Sequence, residues 1–465
     1  MDRRAFLKTA AAGVLAAQQA RSETEAARPN IVVITTDQQH WQAFGAADPF
    51  FETPHIDALA KSGTVFRSAF CTTPQCSASR SSIYTGFYPH TTQVIGNINA
   101  VDHHGKAIAG LPTRFETLGS RLKEGGYHTA YFGKWHLGNE AHFATHFDQS
   151  DLDGEAHDGA SEASVRYLRQ RREAPDRPFA LFVNYVNPHD IYAFGGLGRK
   201  KKIDPPSLDV PHPESWSESF AGKPPCQERF MREDQGAYMQ GKADAYWERY
   251  REFYREKCRI VDAQVGKILR ELERGGLAED TLVVFTSDHG DMDTQHRLIY
   301  KGPFMYEHMV RVPLIIRPPK QAAPKATEDF AVLTDIMPTL CAFAGLDCAD
   351  SHGRSLHAFL TGAGAMPERE FVIGQYYNKQ KWVNPIRMIR TKSFKYNRYL
   401  SHGEEFYDLV NDPHELVNLA RDGFYGKRKA ALGAELDRWM IDHGDRDFAN
   451  YWCTNRDGSR YAALA

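Results

Sequence analysis

The chain reads as an α/β protein with a large, mostly parallel central sheet flanked by helices and a smaller C-terminal α+β subdomain. Two observations carry this. Five apolar, strand-like runs are each followed at once by polar residues: Ile31–Ile34, Ala130–Phe132, Phe179–Val183, Leu282–Phe285 and Pro313–Ile316. Continuous runs of this kind suit strands buried on both faces. Helical patterns lie between them, the clearest placing Val261, Val265, Ile268 and Leu272 on one face and stopping at Gly275-Gly276. Strands alternating with helices argue for a parallel sheet.

The first 22 residues read as a leader rather than as fold. Arg3-Arg4-Ala5-Phe6-Leu7-Lys8 precedes an apolar stretch, Thr9 to Ala17, and then small and polar residues to Ser22. That order suits a cleavable twin-arginine signal, and with it a periplasmic or secreted destination reached after folding. No later stretch approaches the roughly 20 apolar residues of a membrane helix, so no integral membrane segment is expected. With 57 Lys+Arg against 59 Asp+Glu, there is no bulk electrostatic case for a nucleic-acid partner.

A catalytic α/β domain is expected over residues 28–367. Residues from about Ala193 to Tyr238 interrupt its pattern with Pro, Gly and charge, and read as a functional loop or a solvated excursion. Arg199-Lys200-Lys201-Lys202 and Trp216 within it are candidate contacts for an anionic substrate. Residues 368–465 form the expected subdomain, an antiparallel sheet that includes Phe371–Ile373 and Met388–Arg390, and a helix near Lys427 to Ile441.

In a parallel sheet, ligands bind beyond the carboxyl ends of the strands. Four of the five runs place Asp, His or Lys there, so one convergent polar site is expected. Asp37 and Asp288 close two of them, with Gln38 and His289 alongside. Oxygen donors with an imidazole suit a divalent cation, although an Asp after a strand also serves as a helix cap. Seven cysteines form no CxxC pair and no zinc-like spacing, and Cys341 with Cys348 is a candidate disulfide. Cys76 lies where a loop enters a helix, a position that lowers a thiol pKa and favours anions; a buried structural thiol is the alternative.

Pro74-Gln75-Cys76-Ser77-Ala78-Ser79-Arg80 through Thr85-Gly86 resembles the signature of the formylglycine-dependent sulfatases of the alkaline phosphatase superfamily. Gly126-Tyr127-His128-Thr129 with Gly133-Lys134-Trp135-His136-Leu137-Gly138 is similar to the second signature. Asn30 to Asp37, Asn187-Pro188-His189-Asp190, Ser287 to Asp291, Tyr306-Glu307, Arg311-Val312-Pro313, Thr334 to Thr339 and Phe406 to Glu415 continue the likeness over roughly residues 28 to 420.

The resemblance implies a sulfuric ester hydrolase in which Cys76 is oxidised to formylglycine by a formylglycine-generating or anaerobic sulfatase-maturating enzyme. One hydroxyl of the formylglycine hydrate attacks sulfur, and proton loss from the other expels sulfate. It implies Asp37, Gln38, Asp288, His289 and the Cys76-derived oxygen as metal ligands. Ca²⁺ is the expected ion, with Mn²⁺ or Mg²⁺ as alternatives. Arg80 would hold the hydrate. Lys134, His136, His189 and Lys301 would clamp the sulfate oxygens, with His189 or Lys301 serving the leaving group. Many members carry Asp where this chain has Gln38. His296 is either a substrate contact or a structural histidine. The substrate is expected to be a sulfated small molecule or glycan, met by the variable segments Ile95–Lys106, including Asp102-His103-His104, and Ala193–Tyr238. A phosphodiesterase or phosphonate monoester hydrolase on the same fold, and a catalytically silent glycan-binding relative, are the alternatives.

Overall fold

The computed structural model describes residues 28–152, 159–198, 204–320, 325–348 and 350–462. The expected leader and the 199–202 basic run lie outside them.

Eight strands form the main sheet: β1 (Asn30–Asp37), β2 (Thr64–Phe70), β3 (His128–Gly133), β4 (Gln149–Asp151), β5 (Phe179–Pro188), β6 (Thr281–Ser287), β7 (Leu314–Arg317) and β8 (Lys325–Val332). Their order is β4-β3-β5-β1-β6-β7-β2-β8. Every pairing is parallel except those of β7, which runs against both β6 and β2. All five apolar runs are strands. Along β1, Ile31 and Val33 enter one core while Val32 and Ile34 enter the other, which is why the run shows no polar alternation. The continuous-run criterion passes over three strands. β2 carries an exposed Arg67, β4 is a short exposed piece, and the first half of β8 is polar and largely exposed.

Register aligns the carboxyl ends of the central strands. Asp37 lies opposite Pro188, Thr36 opposite Ser287, and Gly133 opposite Asn184. The expected helical face belongs to a 31-residue helix, Asp244–Arg274, which begins well upstream of the pattern. Val261, Val265, Ile268 and Leu272 pack on one side of the sheet, while Tyr250 and Tyr254 reach its carboxyl end.

The segment from Ala193 to Tyr238 departs from the loop expectation. It contains a helix, Pro225–Glu233, that buries Cys226, Gln227, Phe230 and Met231. Trp216 is buried too, stacked on His212 at 3.8 Å with the Arg297 guanidinium over its ring at 4.3 Å, so it packs the fold and does not face a ligand.

The second sheet is antiparallel, in the order β12-β11-β10-β9, from β9 (Phe371–Lys379), β10 (Trp382–Thr391), β11 (Phe394–Tyr399) and β12 (Gly403–Asp408). The helix Gly426–Asp442 covers one face through Leu436 and Trp439. The other face sends Tyr376, Ile386 and Met388 into the main core. All seven cysteines are free thiols; Cys341 and Cys348 are in side-chain hydrogen-bond contact without a disulfide. Among the described residues no helix is long and apolar enough to cross a membrane.

Candidate active site

Cys76 is the first residue of a fully buried helix, Cys76–Thr85, which ends on Gly86 in the left-handed region at φ 73°. Its Sγ lies 3.5 Å from Asp37 Oδ1, 3.2 Å from His289 Nε2 and 2.7 Å from Lys301 Nζ. Burial and Asp37 both oppose ionisation of this thiol, yet the charges of Lys134, Lys301 and His289 outweigh them and hold it well below the usual thiol range.

One turn along the helix, Arg80 is buried and fixed from three sides. Its Nε donates to Asp288 Oδ2 at 2.9 Å, and Nη1 donates to the Lys134 carbonyl at 2.9 Å and to Asn184 Oδ1 at 3.2 Å. Nη2 has no hydrogen-bond partner and stands 4.0 Å from Asp37. Ser79 anchors the same helix by donating to the Asp288 carbonyl at 2.5 Å.

Lys134 reaches the cluster because β3 ends on Gly133, whose φ of 103° and close approach to the Asn184 carbonyl leave no room for a side chain. Its ammonium pairs directly with Asp37 Oδ2. Burial pushes the Asp37 carboxyl up, but Lys134, His189 and Lys301 outweigh it and hold it well below the usual carboxylate range. Asp288 is shifted the other way, by burial and by the neighbouring Asp37.

A divalent cation fits this constellation. Asp37, Cys76, Asp288 and His289 each offer one donor atom, all within 4.8 Å of one another and all buried. Gln38 follows Asp37 in the chain. Its backbone is left-handed, at φ 72°, and its N–H donates to Asp288 Oδ1 at 3.1 Å. Its side-chain Nε2 donates to Asp291 Oδ2 at 2.7 Å, which leaves Oε1 buried and without a partner. His289 Nδ1 is 2.9 Å from the Gly290 carbonyl, an arrangement that orients Nε2 towards the cluster.

His189 begins the short turn after β5, half-buried, its ring 4.8 Å from that of Tyr192. Burial, with Lys134 and Lys301 nearby, pushes its imidazole down to about 3 despite Asp37. His136 is left-handed at φ 57° and half-buried, with Nδ1 unpartnered; among the described residues it makes no hydrogen bond or ion pair with the cluster. His296 also stands apart: it pairs with Glu218, stacks on Tyr306 at 3.8 Å, and its N–H donates to Ser215 Oγ at 2.8 Å. Of the variable segments, Asp102 caps its own loop, and the His103 N–H donates to Tyr377 on β9.

The structure adds residues that motif reading did not assign. Asn184 holds Arg80, Asp291 holds Gln38, and Tyr254 donates to the Gln38 carbonyl at 2.7 Å. Asp291 was visible as an acid just beyond β6. Asn184 and Tyr254 give no local signal.

The comparisons agree with this geometry. The Sulfatase family model matches residues 29–346, and a model for the C-terminal region of N-sulphoglucosamine sulphohydrolase matches 295–442. A Delta 4,5-hexuronate-2-O-sulfatase of Bacteroides thetaiotaomicron is 30% identical over 448 residues, covering 90% of both chains. The solved structure of a 2-O GAG sulfatase superposes with a TM-score of 0.80 at 26% identity, covering 94% of this chain and 98% of that one. The phosphonate monoester hydrolase of Agrobacterium radiobacter shares the fold, with a TM-score of 0.71 at 22% identity over 94% of this chain and 100% of that one. The chain belongs to the formylglycine-dependent sulfatase family and is a sulfuric ester hydrolase.

Proposed function

We propose that the chain hydrolyses a sulfate ester of a sulfated carbohydrate, using formylglycine made from Cys76 and a divalent cation, Ca²⁺ being the expected ion. The observation that carries this reading is the packing of one buried thiol against Asp37, His289 and Lys301 at a helix N-terminus. A sulfated hexuronate is the substrate class we infer, from the relative named for that activity. Periplasmic or secreted localisation by twin-arginine export, and maturation by a separate formylglycine-generating enzyme, complete the proposal.

When in place, the modification and the ion supply an oxygen nucleophile and a positive charge beside the sulfuryl oxygens. The remaining work falls to this chain's side chains. Arg80 is rigidly held by Asp288 and Asn184, so its free Nη2, beside Asp37, would meet the nucleophile's oxygens without reorganisation. Lys134 and Lys301 approach the Cys76 position from different elements and neutralise the sulfate oxygens. His189, held neutral in the free enzyme, accepts or relays a proton, while the Lys301 ammonium carries the proton available to the leaving alcohol.

Peptide mass spectrometry across Cys76, on protein co-expressed with a formylglycine-generating enzyme, tests the proposal. Exchange of sulfur and two hydrogens for oxygen is expected, together with faster turnover of 4-nitrophenyl sulfate than of the matching phosphate and phosphonate esters. An unmodified thiol in metal-loaded protein that still hydrolyses sulfate esters would overturn the mechanism. Preference for the phosphonate would move the chain to the activity of its Agrobacterium fold neighbour.

A further inference from the structure

A second lysine stands behind Lys301. Lys379 is the last residue of β9, buried, and its Nζ donates to the backbone carbonyl of Lys301. The ammonium lies over the rings of Phe230, at 4.6 Å, and Tyr192, at 5.8 Å. Among the described residues no carboxylate comes within ion-pair distance of it; Asp234, the acid most strongly felt, is paired with Arg456 at 3.2 Å. Burial pushes this amine down to about 7. A buried amine with one carbonyl partner carries its charge only at a cost unless something else compensates it.

Its neighbours place it beside the reacting centre. Lys301 Nζ touches Cys76 Sγ, and Tyr192 stacks on Tyr300 at 4.2 Å while lying against His189. The end of β9 is also joined to the nucleophile helix through the 95–106 segment. Asn378 Nδ2 donates to the Val101 carbonyl at 2.6 Å, Val101 N–H donates to the Gln380 carbonyl at 3.1 Å, and Ser77 N–H donates to Asn97 Oδ1 at 3.1 Å. The C-terminal sheet therefore holds Lys379 directly behind the backbone of Lys301.

We propose that Lys379 is a specificity-determining residue that binds the carboxylate of the sulfated uronate while Lys134 and Lys301 hold the sulfate. This rests on the reading of the site as a sulfatase for a uronate-bearing glycan. With one N–H committed to the Lys301 carbonyl, two remain, which suits a carboxylate accepting from a compact ammonium. The competing role is purely structural: a strut that positions Lys301 through its carbonyl would serve every sulfate ester equally.

The test uses the full-length, matured, metal-loaded enzyme with three probes: a 2-O-sulfated unsaturated hexuronate disaccharide, its carboxyl methyl ester, and 4-nitrophenyl sulfate. Wild type is expected to prefer the free acid over the methyl ester by about tenfold or more in kcat/KM, the scale of one charged hydrogen bond. Lys379→Met should bring that ratio close to one, mainly through KM, and Lys379→Arg should keep part of it. No preference in wild type overturns the assignment. So does a Lys379→Met variant that loses rate equally on all three probes, because that is the signature of a strut. If Lys379→Met does not fold, the wild-type preference and Lys379→Arg still decide. Failure of wild type on every sulfate ester, 4-nitrophenyl sulfate included, overturns the underlying reading and this assignment with it.

Discussion

Two regions of this molecule bury lysines, and they do so on opposite terms. Under the C-terminal sheet, Lys395 on β11 is fully buried between two acids, 2.7 Å from Glu307 and 2.6 Å from Glu415, and also donates to the Met305 carbonyl at 3.1 Å. Arg311 and Arg390 reach the same Glu307 at 3.2 and 3.4 Å. Burial raises the Glu307 carboxyl, but Lys395 and the two arginines outweigh it and hold it well below its usual range. At the carboxyl end of the main sheet, Lys301 is equally buried, yet its side chain meets a thiol and an imidazole, and among the described residues it forms no ion pair with a carboxylate. Paired charges are architecture: removing one partner strands the other in a low-dielectric core. A cation set against a perturbed nucleophile, with no structural acid as its partner, is the arrangement expected where an anionic substrate is to be met.

The sharpest way to break this contrast is at the nucleophile. Cys76→Ala should abolish sulfate-ester turnover while leaving the melting temperature close to wild type, because a small side chain still fits the first position of its helix. Residual activity near wild type would refute the role of Cys76. The second test exchanges the two lysines. Lys301→Ala should lower kcat by about 10²–10³, the range for loss of one preorganised electrostatic contact, with thermal stability retained or raised. Lys395→Met should do the reverse, destabilising the fold by about 3–5 kcal/mol while the folded fraction keeps its turnover. Equal stability losses in both variants would erase the distinction.

The sequence carries one side of this contrast better than the other. Asp37 and Asp288 are legible because each follows a run buried on both faces, and the parallel pairing expected of such runs puts both at one edge of the sheet. Cys76 and Arg80 are legible as a motif, since their spacing sets them one turn apart on a single helix. Lys379 is not legible. It sits in an ordinary β9 sequence, and only the docking of the second sheet brings it to Lys301. The same holds for Tyr254, which meets the Gln38 carbonyl from a helix more than two hundred residues away. The loop reading of 193–238 fails for a related reason. Its Pro and charge content hides the helix Pro225–Glu233, whose buried face of Cys226, Gln227, Phe230 and Met231 follows helical spacing but spans only nine residues. The direction of β7 is likewise invisible in its residues, because an apolar run reads the same either way.

A third, smaller effect concerns Gln38, whose unpartnered Oε1 separates a metal ligand from a structural amide. Gln38→Leu removes that oxygen and the bond to Asp291, and should weaken Ca²⁺ binding by about 10–100-fold, the scale of lost support at a metal site. Calorimetric titration of metal-free protein measures this directly; unchanged affinity would place Gln38 outside the coordination set.

The smallest effect is expected at His296, seven residues beyond His289 and tied to a different network. It is clamped by Glu218, which also pairs with Lys223 at 2.8 Å, and its ring lies flat on Tyr306. Lys223 in turn donates to the Glu415 carbonyl at 2.7 Å, so the chain of contacts runs towards the Lys395 region and away from Cys76. His296→Ala should therefore behave like a weak version of Lys395→Met. It should cost about 1–3 kcal/mol for the half-buried carboxylate left short of a partner, with kcat/KM for 4-nitrophenyl sulfate unchanged. A loss of turnover without a loss of stability would instead make His296 a substrate contact, and would move the boundary between the two regions to the far side of this residue.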